Sequence, residues 1–330
     1  MIKPFLGAHT LGVKLVFEAI AGIGFLIMGL ALIILSSDKA VVHSVKIASA
    51  LRVSPLMIGL VLVSIGTDLP EIANDVISSA LGHGDITIGD SLGSVLTQIT
   101  LVLGLLPFLG GMFKVKRREV AVIGTCEILA LILVVSIART GHISSISALF
   151  LVASWPIFMM ITRKVTAKNA PEKKRVVPRT DRRPSYHFVV ASLGFIGVAI
   201  GAYVVIQSVI TLSATFHVPE YFISFFAVAI GTSLPELIVD LTAIRKKQYE
   251  LAIGDAIGSC IVDATLSCGI GPLFFPIDVT GELAMITGLY ALFGSIVVIS
   301  TLTLREKLDK KAGTLFIVLY LLSYSMLRVT

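Results

Sequence analysis

Residues 66–71 read GTDLPE and residues 231–236 read GTSLPE. Each hexapeptide lies inside a long apolar run, where proline removes a backbone donor and clashes with the preceding turn. An ionisable side chain at the centre of a bilayer costs roughly 2.5 to 3.5 kcal/mol even on the insertion scale. A pattern this costly, written twice, calls for a functional reason. The two copies are 165 residues apart, half of the 330-residue chain. The same offset pairs Gly89 with Gly254, Asp90 with Asp255, Gly93 with Gly258 and Ser94 with Ser259. An ungapped comparison of 66–104 with 231–269 gives 14 identities in 39 positions. A fixed offset without gaps indicates duplication.

Composition places these repeats in a membrane. The chain is 55% hydrophobic and 15% charged, with a mean hydropathy of +0.95, whereas an ordinary soluble domain carries about 25% charged residues. A span needs about 20 mainly apolar residues, and ten segments qualify: roughly 15–36, 54–80, 86–110, 119–138, 143–162, 188–212, 219–243, 251–275, 281–303 and 312–328. The opening MIKPFLGAHTLGVK has no compact apolar region followed by a small-residue cleavage site, so the first segment is expected to stay in the membrane.

The net charge of +6 is distributed by side of the membrane. The loops after segments 1, 3, 5, 7 and 9 hold 23 of the 27 lysines and arginines, nine of them between Arg163 and Arg183. Lys3, Lys14, Arg139 and Arg328 fall on the other side. By the positive-inside rule both termini are expected outside the cytoplasm of a multi-pass cell-membrane protein. The basic charge therefore reads as orientation rather than a nucleic-acid surface. Residues 163–187 form a polar, basic cytoplasmic linker between a first repeat, 1–162, and a second, 188–330.

Five spans per half is an odd number, so the second half enters from the opposite side. The predicted fold is an all-α polytopic membrane protein with ten transmembrane helices in two inverted five-helix repeats and a four-helix ion-binding core between them. Inverted repeats with Gly/Pro-interrupted apolar segments at matching positions point to a secondary transporter with its site at mid-membrane.

The chemistry sits in two elements per repeat. In GT(D/S)LPE the proline is expected to free carbonyl oxygens near Ser64 and Ala229, irregularity tolerated at this depth only beside protein or a water-filled cavity. Thr67 and Thr232 add hydroxyls, and Glu71 and Glu236 add carboxylates one turn later on the same face. Hydroxyl, carbonyl and carboxylate oxygens suit hard cations such as calcium, which takes six to eight oxygen ligands. The second element reads IGDSLGSVLTQITLVLG, matched by IGDAIGSCIVDATLSCG. Its Gly93, Ser94, Gly258 and Ser259 permit close helix approach, and Gln98 and Asp263 follow four residues after each serine. Asp75 and Asp240, one turn beyond each glutamate, read as secondary ligands or entrance charges.

These paired segments resemble the alpha repeats of the cation/calcium antiporter superfamily, most closely those of prokaryotic sodium/calcium exchangers. The resemblance covers both halves and implies direct calcium ligation by Glu71 and Glu236, helped by Thr67 and Thr232. It implies neighbouring sodium sites shaped by Ser94, Ser259, Gln98, Asp263 and Ser233. Asp68 stands where that family usually has serine, Gln98 where it has asparagine, and Asp90 and Asp255 where asparagine commonly follows glycine. GSN becomes GSV and GSC. Asp68 would add negative charge in the sodium region, and LGSVLTQITLVLG is similar to the proton-coupled branch, so magnesium or protons stand as alternatives to sodium/calcium coupling.

Rival readings are weaker. An intramembrane aspartyl protease needs GxGD, whereas the tetrapeptides here are TIGD and AIGD. A passive cation channel would conduct without a counter-ion. There is no Walker motif for ATP-driven pumping. The six histidines lie near span ends without metal-site spacing, and Cys126, Cys260 and Cys268 show no CxxC spacing. The expectation is a non-enzymatic, monomer-capable antiporter with no cofactor, whose partners are calcium, sodium and membrane lipid.

Overall fold

The computed structural model describes residues 3–48, 64–166, 184–245, 247 and 249–328. Most of the basic linker, 167–183, and the first half of the second expected span, 54–63, lie outside these residues. The described chain is almost entirely helical. Eight helices are long and apolar enough to cross a membrane: Val16–Ser36, Gly84–Leu109, Arg117–Ala138, Ser145–Thr162, Ser192–Phe216, Glu220–Arg245, Ala252–Phe274 and Gly281–Arg305. The other two expected spans correspond to helical pieces. One is the described part of the second, Ser64–Thr67 and Leu69–Ala80; the other is Lys310–Ser323 with a 3-10 turn Tyr324–Arg328.

The hexapeptides break their helices at matching places. Asp68 (φ −77°, ψ 4°) and Ser233 (φ −81°, ψ 6°) lie in the bridge region between two helical pieces. Pro70 and Pro235 then sit at the second position of Leu69–Ala80 and Leu234–Arg245. A missing amide at a helix start costs nothing there, because that N–H has no intrahelical acceptor.

Burial sorts the helices. The spans Gly84–Leu109 and Ala252–Phe274 are 78% and 83% buried, against 22% for Val16–Ser36. The two GS-bearing helices therefore form the centre and the first helix lies on the rim. That rim helix exposes Val16, Phe17, Ile20 and Ile27, a face suited to lipid and too apolar for water.

Close approach at the centre depends on glycine. A Cβ on Gly93 would stand 2.2 Å from the Phe225 carbonyl oxygen, and one on Gly89 would stand 2.6 Å from that of Tyr221. The Ser224 hydroxyl donates to the Ile86 carbonyl at 2.8 Å across the same seam. Because the clash is with backbone, Gly93→Ala is expected to lower stability by about 1–3 kcal/mol. Gly24→Ala, which meets no atom within 4 Å, should leave stability unchanged. Thermal melts in detergent check both.

The inverted symmetry is visible in small features. Phe113–Lys114 pairs antiparallel with Lys307–Leu308, and His142–Ile143 pairs antiparallel with Ile277–Asp278. Shifted by 165 residues, each ladder maps onto the other to within one residue. Both ladders join one half to the other. Beside the first, Lys116 reaches Glu250 at 2.5 Å and Glu119 at 3.2 Å, and the Glu250 carboxylate holds its ammonium above the usual lysine range. Beside the second, the His142 ring meets Asp278 at 2.6 Å, and His83 meets Glu220 at 2.9 Å. His83 and His142 thus take part in contacts between the halves.

Candidate ion-binding site

The helix break turns the hexapeptide side chains into the protein centre. Asp68, Glu71 and Glu236 are fully buried, and each brings a carboxylate oxygen within 4.8 Å of the others. Glu236 faces both Asp68 and Thr67. Among the described residues no ion pair involves any of the three. Asp263 stands outside this trio, beside Gln98, and its Oδ1 accepts from the Ser267 hydroxyl at 3.4 Å.

The remaining expected residues lie on the hexapeptide helices and on the two GS helices. Ser94, Ser233 and Ser259 are buried hydroxyls with no hydrogen-bond partner. Thr232 is directed toward Asp90 Oδ1 at 3.4 Å and toward the carbonyls of Val228 at 3.1 Å and Ala229 at 3.4 Å. The Ala229 carbonyl also accepts the Ser233 amide at 3.1 Å, and a carbonyl retains a second lone pair for another partner. Ser64 opens the helical piece that ends at Thr67. Gln98 lies in a π-helical turn, Thr97–Val102, and Asp263 begins another, Asp263–Ser267. Such turns favour functional sites because the extra residue re-aims side chains. The Cys260 thiol donates to Gln98 Oε1 at 3.6 Å.

Among the described residues no basic group pairs with Asp68, Glu71 or Glu236, and Oδ2 of Asp263 and the hydroxyls of Ser94, Ser233 and Ser259 are buried without a hydrogen-bond partner. Buried polar groups elsewhere in proteins are nearly all hydrogen-bonded. A set this large, acidic and without a basic partner fits a hard cation, which oxygen ligands hold at 2.3–2.6 Å for calcium.

One buried acid was not singled out by its sequence. Glu127, in Arg117–Ala138, is fully buried and accepts from the Ser295 hydroxyl at 2.6 Å. The available signal was a lone glutamate in the apolar run VAVIGTCEILALILVV; it has no counterpart 165 residues later, where Leu292 stands.

The sequence profile described as "Sodium/calcium exchanger protein" matches residues 21–163 and 186–328. The chain belongs to the sodium/calcium exchanger family. It is 28% identical over 314 residues to the uncharacterized membrane protein MJ0091 of Methanocaldococcus jannaschii, covering 94% of this chain and 99% of that one. It is 29% identical over 262 residues to the inner membrane protein YrbG of Escherichia coli, covering 76% and 79%. A shorter match, 37% over 82 residues, joins 25% of this chain to 23% of the sodium/calcium exchanger MaX1 of Methanosarcina acetivorans. Among solved structures, the sodium-calcium exchanger NCX_Mj soaked with sodium and strontium superposes with a TM-score of 0.63. Identity is 27%, over 93% of this chain and 99% of that one. This exchanger-family chain is thus a multi-pass, all-α membrane protein of a transporter family rather than an enzyme family.

Proposed function

We propose that this chain is a secondary-active antiporter that carries calcium against sodium by alternating access, with Asp68, Glu71 and Glu236 as the central ligands. The observation that carries the reading is the trio itself: three buried carboxylates within 4.8 Å of one another and no ion-paired cation among the described residues. Thr67, Ser94, Ser233, Ser259, the Ser64 and Ala229 carbonyls, Gln98 and Asp263 complete the oxygen-rich surround and shape the sodium sites. Calcium and sodium compete for shared carboxylates, so the carrier reorients with one or the other and needs no cofactor. The solved sodium-calcium exchanger NCX_Mj, characterised for extracellular ion exchange and binding-site occlusion, supports the analogy.

The moving part is the pair of rim helices, Lys3–Ala48 and Pro184–Phe216. They cross at Gly29 and Gly201, where an added Cβ on either would stand 3.1 or 3.0 Å from the other's carbonyl oxygen. Leu30 packs over Gly231, so this pair covers a hexapeptide while most of it faces lipid. Residues 1–162 and 188–330 act as the two repeats, with the basic loops in the cytoplasm and both termini outside. Exporting calcium against a ten-thousand-fold gradient at 100 mV costs roughly 5.6 kcal/mol chemically and 4.6 electrically, while each sodium supplies about 3.7. Two sodium ions fall short and three suffice.

Calcium-45 uptake into sodium-loaded proteoliposomes tests the reading, beside potassium-loaded vesicles and a pH jump. Uptake should require internal sodium. Uptake that follows only the proton gradient, or that runs without any counter-ion, overturns it.

A further inference from the structure

In each half the glutamate-bearing helix packs along the GS helix, and the two seams are built from different chemistry. In the first half, Leu69–Ala80 and Gly84–Leu96 are joined by buried side-chain hydrogen bonds. Asn74 Nδ2 donates to Asp90 Oδ2 at 2.6 Å, and the Ser91 hydroxyl donates to Asp75 Oδ2 at 2.5 Å. The Thr87 hydroxyl lies 2.6 Å from that of Ser78 and 3.2 Å from that of Ser79. Asn74, Ser78, Ser79, Thr87 and Ser91 are all buried.

Shifted by 165 residues, those five positions are Val239, Ala243, Ile244, Ala252 and Ala256. The second half retains the aspartates, as Asp240 and Asp255, but each of the five neutral polar side chains is replaced by one that neither donates nor accepts. The difference bears on motion. A side-chain hydrogen bond is lost beyond about 3.5 Å, so a slide of one helix along the other by a single residue, about 1.5 Å, breaks most of the first set. Apolar contact is non-directional and has no preferred register. Packed helices of that kind shift by small sliding movements.

We propose that the two halves contribute differently to the transport cycle: Leu69–Ala80 and Gly84–Leu96 move as one body, whereas Leu234–Arg245 slides along Tyr249–Val262 when the end of the fold that carries Arg245 opens. The inverted repeat is thus mechanically unequal. The stiffness difference follows from the seams alone; the assignment of the slide to an ion-driven opening rests on the exchanger reading above.

Hydrogen–deuterium exchange of the purified full-length protein in detergent tests the stiffness. Without calcium or sodium, amides of 69–96 should exchange at least about tenfold more slowly than those of 234–245 and 249–262. Ser78→Ala with Thr87→Val removes two hydroxyls at nearly constant shape and should bring the first pair to the rate of the second. Turnover tests the slide. Ala243→Ser with Ala252→Thr, which copies Ser78 and Thr87 into the second seam, should slow sodium-dependent calcium uptake by about tenfold and leave the half-saturating calcium concentration unchanged. Equal exchange in the two pairs, or a difference that survives the first variant, overturns the stiffness; unchanged turnover in the second variant overturns the slide. If the second variant fails to fold, wild type decides: replacing calcium by sodium should alter exchange in 234–245 and not in 69–80, and an equal response in both overturns the slide. Exchange that responds to neither ion anywhere removes the exchanger reading and leaves the comparison of the two seams intact.

Discussion

Glutamine in place of Glu71 or Glu236 should cut sodium-dependent calcium uptake by at least about 100-fold, equivalent to about 2.7 kcal/mol, while the protein remains folded. Glutamine keeps the shape of the side chain and one acceptor oxygen, so the loss is chiefly one of charge. Two unit charges 4.8 Å apart, the span of the trio, interact by about 3.5 kcal/mol at an effective dielectric of 20. At the same separation a divalent ion feels twice that from each carboxylate, and desolvation of the ion consumes part of it. The same substitution should raise the melting temperature of the ion-free protein, because it removes one of three mutually repelling buried carboxylates. Transport and ion-free stability are thus expected to move in opposite directions. Flux assays and melts on the same preparations check this, and wild-type uptake by either variant would show that the trio is not the transport site.

The second large effect is expected at Asp68. Asp68→Ser restores the residue that the second half carries at Ser233 and removes the third carboxylate of the trio. The electrostatic term lost is proportional to the charge of the bound ion. If sodium binding weakens by about tenfold, calcium should weaken by about 100-fold, so the preference for calcium over sodium falls by about tenfold. The concentration of each ion giving half-maximal exchange measures both numbers. An unchanged calcium dependence would place Asp68 outside the ion's coordination sphere and make the oxygen separation within the trio incidental.

Much of this arrangement was legible in one dimension. A 165-residue offset, proline beside glutamate in apolar runs, and 23 basic residues on alternate loops are all statements about order along the chain. They suffice for apolar spans, inverted repeats and the burial of Glu71 and Glu236, because a bilayer makes each buried charge and each helix break conspicuous. The proline predicts an irregularity inside the second span, and Asp68 divides its described part into two helical pieces, since a proline at 70 cannot donate to the carbonyl one turn back.

Partner choice was not legible. The repeat treats Asp68 and Ser233 as equivalent. The structure instead draws Asp68 into the trio with Glu71 and Glu236 and leaves Asp263 outside it. It also points Thr232 across the repeat boundary to Asp90, and ties Glu127 to Ser295. Each contact depends on how near two helices lie and how each is rotated. Those quantities are set where Gly93 lets the Phe225 backbone approach and where π-helical turns re-aim Gln98 and Asp263. The sequence by itself determined the membrane fold, its duplication and the acids committed to the interior. Only the tertiary structure decided which acids face one another and which face a donor, because that is a matter of distances between helices far apart in the chain.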